Sequence, residues 1–83
     1  MEAIREKLRA FILSNFLFTD DAAALANDDS FMDRGIIDST GILEVIEFIG
    51  DEFHVTVADD ELIPENFDSV SALSAFINAK QEA

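Results

Sequence analysis

The chain has no cysteine, no tryptophan and no tyrosine, and only five basic residues against 18 acidic ones. Without cysteine there can be no disulfide, no thiolate metal site and no catalytic thiol. That composition suits a reducing compartment. No apolar run approaches the length needed to span a bilayer, and Met1-Glu2-Ala3-Ile4-Arg5-Glu6-Lys7 alternates charged with apolar residues and lacks a signal-peptide core. The expectation is a cytoplasmic protein with no membrane association. Catalytic signatures are missing as well: there is no Gly-rich phosphate loop, no His-Glu-x-x-His pair and no nucleophile elbow.

The acidity is unevenly spread. Arg5, Lys7 and Arg9 lie in the first nine residues and Lys80 near the end, while Asp20 to Asp68 holds fifteen acids and one base, Arg34. The net charge of -13 repels nucleic acid and anionic membrane and steers basic protein surfaces toward the chain. Self-repulsion also favours a monomer and implies that salt or divalent cations stabilise the fold. Asp28, Asp29, Ser30, Asp33 and Gly35 suggest a calcium loop, but the spacing fails the EF-hand pattern, so no dedicated metal site is expected.

What the chain does have is hydrophobic material: 83 residues, 49% hydrophobic, with eight Phe. That supports one domain over residues 1–83, with a modest core and no deep catalytic cleft. Ile4, Leu8, Phe11, Ile12 and Phe16 recur at three- and four-residue intervals and predict a helix over about Glu2 to Phe16. From Leu17 to Asp38 the periodicity fails and turn formers collect. Ala22 to Ala26 can add one turn there, and Phe31, Met32, Ile36 and Ile37 are apolar enough to pin this long connection to the core. Connections of this length usually have a function.

A second helix is predicted over about Ser39 to Phe53, capped by Ser39 or Asp38. Ile42, Ile46, Ile49 and Phe53 form its inward stripe, flanked by Leu43 and Val45. Glu44, Glu47 and Asp51 share another face, with Glu52 beside them. Phe53 to Val57 could be written as a strand, but nothing else in the chain pairs with it, so an extended connector is expected. Asp59 to Ile63 predicts a short turn that Pro64 ends or restarts. The last helix runs from about Asp68-Ser69 to Lys80 on Val70, Leu73, Phe76 and Ile77. The predicted fold class is all-α: a small up-and-down bundle of three long helices and one short one.

Two Asp-Ser pairs, Asp38-Ser39 and Asp68-Ser69, each precede a helical pattern, and they provide an internal comparison. Either serine can be an ordinary N-cap. The helix after Ser69 has a small, uncharged outer face, whereas the one after Ser39 is lined with carboxylates. Thr40 is followed by Gly41, which costs about 1 kcal/mol in a helix relative to Ala and is expected to open space beside the serine. A phosphate on Ser39 would meet free backbone N–H groups and the positive end of the helix dipole. Ser39 is therefore the candidate modification site and Ser69 a cap.

Gly35-Ile36-Ile37-Asp38-Ser39, the acidic helix behind it, and Glu65-Asn66-Phe67-Asp68-Ser69-Val70 opening the last helix resemble the acyl carrier proteins over nearly the whole chain. The resemblance implies that a phosphopantetheinyl transferase moves a 4′-phosphopantetheine arm from coenzyme A to Ser39, with Asp38 taking part in recognition. The arm's thiol would then carry an acyl or aminoacyl thioester. A stand-alone ligase would load it, and Thr40, Glu44, Glu47 and Asp51 would dock the partner enzymes. The groove between the second and third helical elements could shelter the cargo.

Three departures from the commonest family pattern suggest a specialised carrier rather than one of bulk fatty acid synthesis. Thr40-Gly41 stands where a leucine commonly follows the serine. Arg34 interrupts the acidic approach and is expected to tune partner choice. His54 replaces a glycine that often ends the second helix; protonated imidazole is favoured there, which would let this corner respond to mildly acidic pH, but an ordinary, partly exposed histidine is the preferred reading. Two readings compete with the carrier. An enzyme pairing Ser39 with His54 would need groups roughly 20 Å apart by helical rise to meet, so no catalytic residue is expected. An acidic protein-interaction domain that is never modified would need nothing attached to Ser39.

Overall fold

The computed structural model describes residues 2–82. Its elements follow the apolar spacing: α1 (Glu2–Ile12), α2 (Gly41–Phe53), the short α3 (Pro64–Phe67) and α4 (Val70–Glu82), with no strand among the described residues. Helix α1 packs chiefly on α4, and α3 packs against the start of α4. Leu8 and Ile12 of α1, Val45 and Ile49 of α2, and Val70, Leu73 and Ile77 of α4 are fully buried. Each such side chain stabilises the fold by about 1.5–3 kcal/mol relative to exposure. Ser74 is the one buried polar side chain among the described residues, and its hydroxyl donates to the Val70 carbonyl at 2.7 Å.

The first helix does not continue as a regular α-helix to Phe16. After Ile12 it widens into a π-helical turn over Leu13–Leu17, closed by Phe18 in the left-handed conformation (φ 54°) with its N–H on the Leu13 carbonyl. In α2 the buried stripe is Gly41, Val45, Ile49 and Phe53, with Ile42 and Ile46 half-buried at its edges. Leu43, expected to flank the core, is 61% exposed, and Met32, expected to pin the loop, is 68% exposed.

The long connection is nonetheless ordered. Phe31 and Ile37 are buried in the core. Asp68 clasps the loop: Oδ2 accepts from the Ser30 hydroxyl at 2.5 Å, Oδ1 accepts from the Met32 N–H at 3.0 Å, and its carbonyl accepts the Phe31 N–H at 2.9 Å. Asn27 is a second tie, taking a hydrogen bond from Arg9 of α1 at 2.9 Å and one from the Ser71 N–H at its carbonyl, also 2.9 Å. Ala22–Ala24 form a 3₁₀ turn capped by Asp21. The connector expected over Phe53 to Val57 begins later, because Phe53 ends α2 and His54 caps it in the left-handed conformation; residues 55–58 then run outside helix and strand, and a 3₁₀ turn follows at Asp59–Glu61. Pro64 then starts α3 at its first position, where a missing N–H costs nothing.

Candidate functional site

Asp38, not Ser39, caps α2. Its Oδ1 accepts the Gly41 N–H at 2.7 Å and its carbonyl accepts the Ile42 N–H at 3.0 Å, which closes the turn over Ser39 and Thr40 that leads into α2 at Gly41. Ser39 is exposed, and its hydroxyl enters no hydrogen bond among the described residues. The second Asp-Ser pair is built the other way round. Ser69 Oγ accepts the Ala72 N–H at 3.0 Å and so caps α4, while Asp68 is engaged in the loop clasp. Both serines sit at helix starts, and Ser39 is the one left with an uncommitted oxygen.

Beside Ser39 lies an apolar cavity of about 260 Å³. Phe31, Met32, Ile37 and Ile42 form one side, Leu62, Ile63, Pro64 and Phe67 the other, with Asp38 and Asp68 at its edges. It opens between α2 and the segment leading into α3, the groove expected from the sequence. The surroundings fit a phosphodiester on the serine. The Ser39 and Thr40 N–H groups have no backbone acceptor among the described residues. They lie at the positive end of a 13-residue helix.

Glu44, Glu47 and Asp51 are exposed along α2 and, with Glu52, rim a shallow groove of about 290 Å³ whose floor is Phe11 and Phe48. Those two rings stack at 4.1 Å between centroids. Thr40 is exposed at the serine end of the same helix. Lys7 of α1 reaches Glu52 at 2.8 Å, which leaves Glu44, Glu47 and Asp51 without an intramolecular ion pair among the described residues.

One expectation near the serine is corrected. Gly41 is buried and opens no space: a Cβ there would lie 2.9 Å from Phe16 Cε1 and 3.2 Å from Ile37 Cγ2. Arg34 is exposed, and its guanidinium donates to Asp29 Oδ2 at 2.6 Å and to the Ala24 carbonyl at 3.1 Å. The Asp29 carboxyl is held below its usual range, first by the Ala26 N–H and then by Arg34. His54 occupies the left-handed C-cap of α2 (φ 58°), with its N–H on the Gly50 carbonyl at 3.1 Å and its side chain exposed.

No family model and no curated protein matches this chain. Solved structures do. One is the solution structure of a holo acyl carrier protein from Nitrosomonas europaea, with a TM-score of 0.79, 20% identity and full coverage of both chains. Another is a chain described as the crystal structure of an FAD-dependent dehydrogenase, with a TM-score of 0.74 and 28% identity, covering 84% of this chain and 97% of that one. The helix order, the long ordered first connection and the short α3 thus make up the fold of an acyl carrier protein.

Proposed function

We propose that this chain is a specialised acyl or aminoacyl carrier, with a 4′-phosphopantetheine arm esterified to Ser39 and its cargo held as a thioester on the arm's thiol. One observation carries the reading: Asp38 does the capping, so Ser39 keeps an exposed hydroxyl free of structural duty at the start of α2. The fold supports the same conclusion. The arm supplies thiol chemistry and reach. The chain's own residues provide the attachment oxygen, an apolar groove beside it, and an acidic face for docking.

In this role the domain performs no catalysis. A phosphopantetheinyl transferase modifies Ser39, an acyl- or aminoacyl-activating ligase loads the thiol, and downstream enzymes take the cargo. Glu44, Glu47 and Asp51, with Thr40 beside the serine, are the docking positions, since their charges are left for a basic partner surface. Incubating the purified protein with coenzyme A and a broad-specificity transferase tests the reading. The expected result is a mass gain equal to phosphopantetheine, lost in Ser39→Ala and retained in Ser69→Ala. No gain in the wild type would favour an acidic interaction domain that is never modified.

A further inference from the structure

Gly41 connects two features that the carrier reading leaves apart. Its N–H is the donor to Asp38 Oδ1 at 2.7 Å, the bond that closes the first turn of α2 around Ser39. Its missing side chain makes room for the edge of the Phe16 ring. A methyl at this Cα would stand 2.9 Å from Phe16 Cε1, closer than two carbons tolerate, and 3.4 Å from the Asp38 carboxylate itself. The ring thus occupies the volume that a side chain at 41 would need.

Phe16 is half-buried and packs against the core in that place. It meets Phe11 edge-on at 5.9 Å and 71°, and Phe11 in turn stacks on Phe48, two turns along α2. It also projects from the π-helical turn Leu13–Leu17, a conformation that recurs at functional sites in α-helices.

We propose, resting on the carrier reading, that Phe16 is a positioning residue for the modification of Ser39, acting through Gly41 and the Asp38 cap. The reaction it serves is balanced as follows. The Ser39 Oγ–phosphorus bond forms, the bridging P–O bond of coenzyme A breaks, and adenosine bisphosphate leaves with the electron pair. The serine proton passes to a base of the transferase or to solvent. Phe16 takes no part in those bonds. Its ring keeps the first turn formed, so the transferase meets Ser39 on a preorganised helix rather than on a frayed one.

Kinetics of conversion by a broad-specificity transferase with coenzyme A test this. Phe16→Ala empties the space, and Gly41→Ala pushes the ring out of it. Each is expected to raise KM for the carrier about three- to fivefold with kcat within about twofold, the scale set by losing one helix cap. Refilling the space from the other side, in the double variant Phe16→Ala with Gly41→Leu, returns KM to within about twofold of wild type. Amide exchange supplies the structural readout: position 41 exchanges faster in Phe16→Ala while Leu73 and Ile77 in α4 stay protected.

A folded single variant with wild-type KM, a refilled variant no better than Phe16→Ala, or an even loss of protection across the protein would overturn the proposal. If Phe16→Ala does not fold, Gly41→Ala and the refilled variant decide on the same criteria. Wild-type protein that gains no mass would instead sink the carrier reading itself, so the two failures are distinguishable.

Discussion

Asp38 has two roles at once, a cap for α2 and a negative group beside the oxygen proposed for modification, and substitution can separate them. Asparagine caps as well as aspartate does, whereas alanine forfeits about 1 kcal/mol. Asp38→Ala is therefore expected to lose about 1 kcal/mol in chemical denaturation and Asp38→Asn to stay within a few tenths of wild type. If the transferase also reads the charge, Asp38→Asn will be modified more slowly despite its wild-type stability. Equal losses in both variants would show that the capping bond is not what stabilises this turn. From the sequence alone the two residues were indistinguishable, because Asp and Ser are equally good caps. Only the position of the Gly41 N–H shows which one is used.

At the level of elements, the segment between α2 and α4 is tied down by one ion pair. Lys80 Nζ donates to both Glu61 oxygens, at 2.8 and 3.0 Å, and Glu61 Oε1 also accepts the Ala58 N–H at 2.9 Å. These contacts, Lys80 foremost, hold the Glu61 carboxyl below its ordinary value of 4.5. A carboxyl whose folded pKa is depressed stabilises the protein fully above its unfolded pKa, and that stabilisation fades as pH falls through the folded value. The stability gap between wild type and Glu61→Gln is thus expected to be flat near neutral pH and to close as pH drops below 4.5. Denaturant melts across that range check it. A gap that widens on acidification would contradict the assignment. This difference measurement is needed because acidification also relieves the general repulsion among surface acids, with the opposite sign.

The elements themselves were largely legible. Apolar residues three and four apart announced α1, α2 and α4, whereas Pro64 could be read as ending or restarting the short turn before it, and the structure shows that it starts α3. The misplacements have physical reasons. Leu43 reads as core by composition but faces outward, because buried Val45 and Ile49 set the rotation of α2. The Phe16–Gly41 contact and the Ser30–Asp68 clasp join residues far apart in the chain, and no local pattern encodes such pairings. The unusual length of the first connection and its apolar residues, of which Phe31 and Ile37 are buried, were the hints that it would be tied to the core.

Over the whole molecule, charge governs behaviour. A net charge of -13 on 83 residues opposes folding through self-repulsion, so moderate salt is expected to raise the melting temperature. In the proposed carrier role the same field would recruit basic partners. Reversing Glu44, Glu47 or Asp51 to Lys is expected to slow modification and loading several-fold at low salt while the melting temperature holds or rises, and the effect should shrink once screening shortens the field to about 10 Å at 0.1 M. Rates unchanged by charge reversal at low salt would remove α2 as the docking face.

The carrier function turns on one oxygen atom, Ser39 Oγ, and on what is bonded to it. Protein recovered from its native cell would be digested and the peptide spanning Asp38-Ser39-Thr40 fragmented in the mass spectrometer. Phosphopantetheine, with or without cargo, is expected on Ser39. A native protein that carries no such group, or carries it on Ser69 or any other residue, would rule that function out.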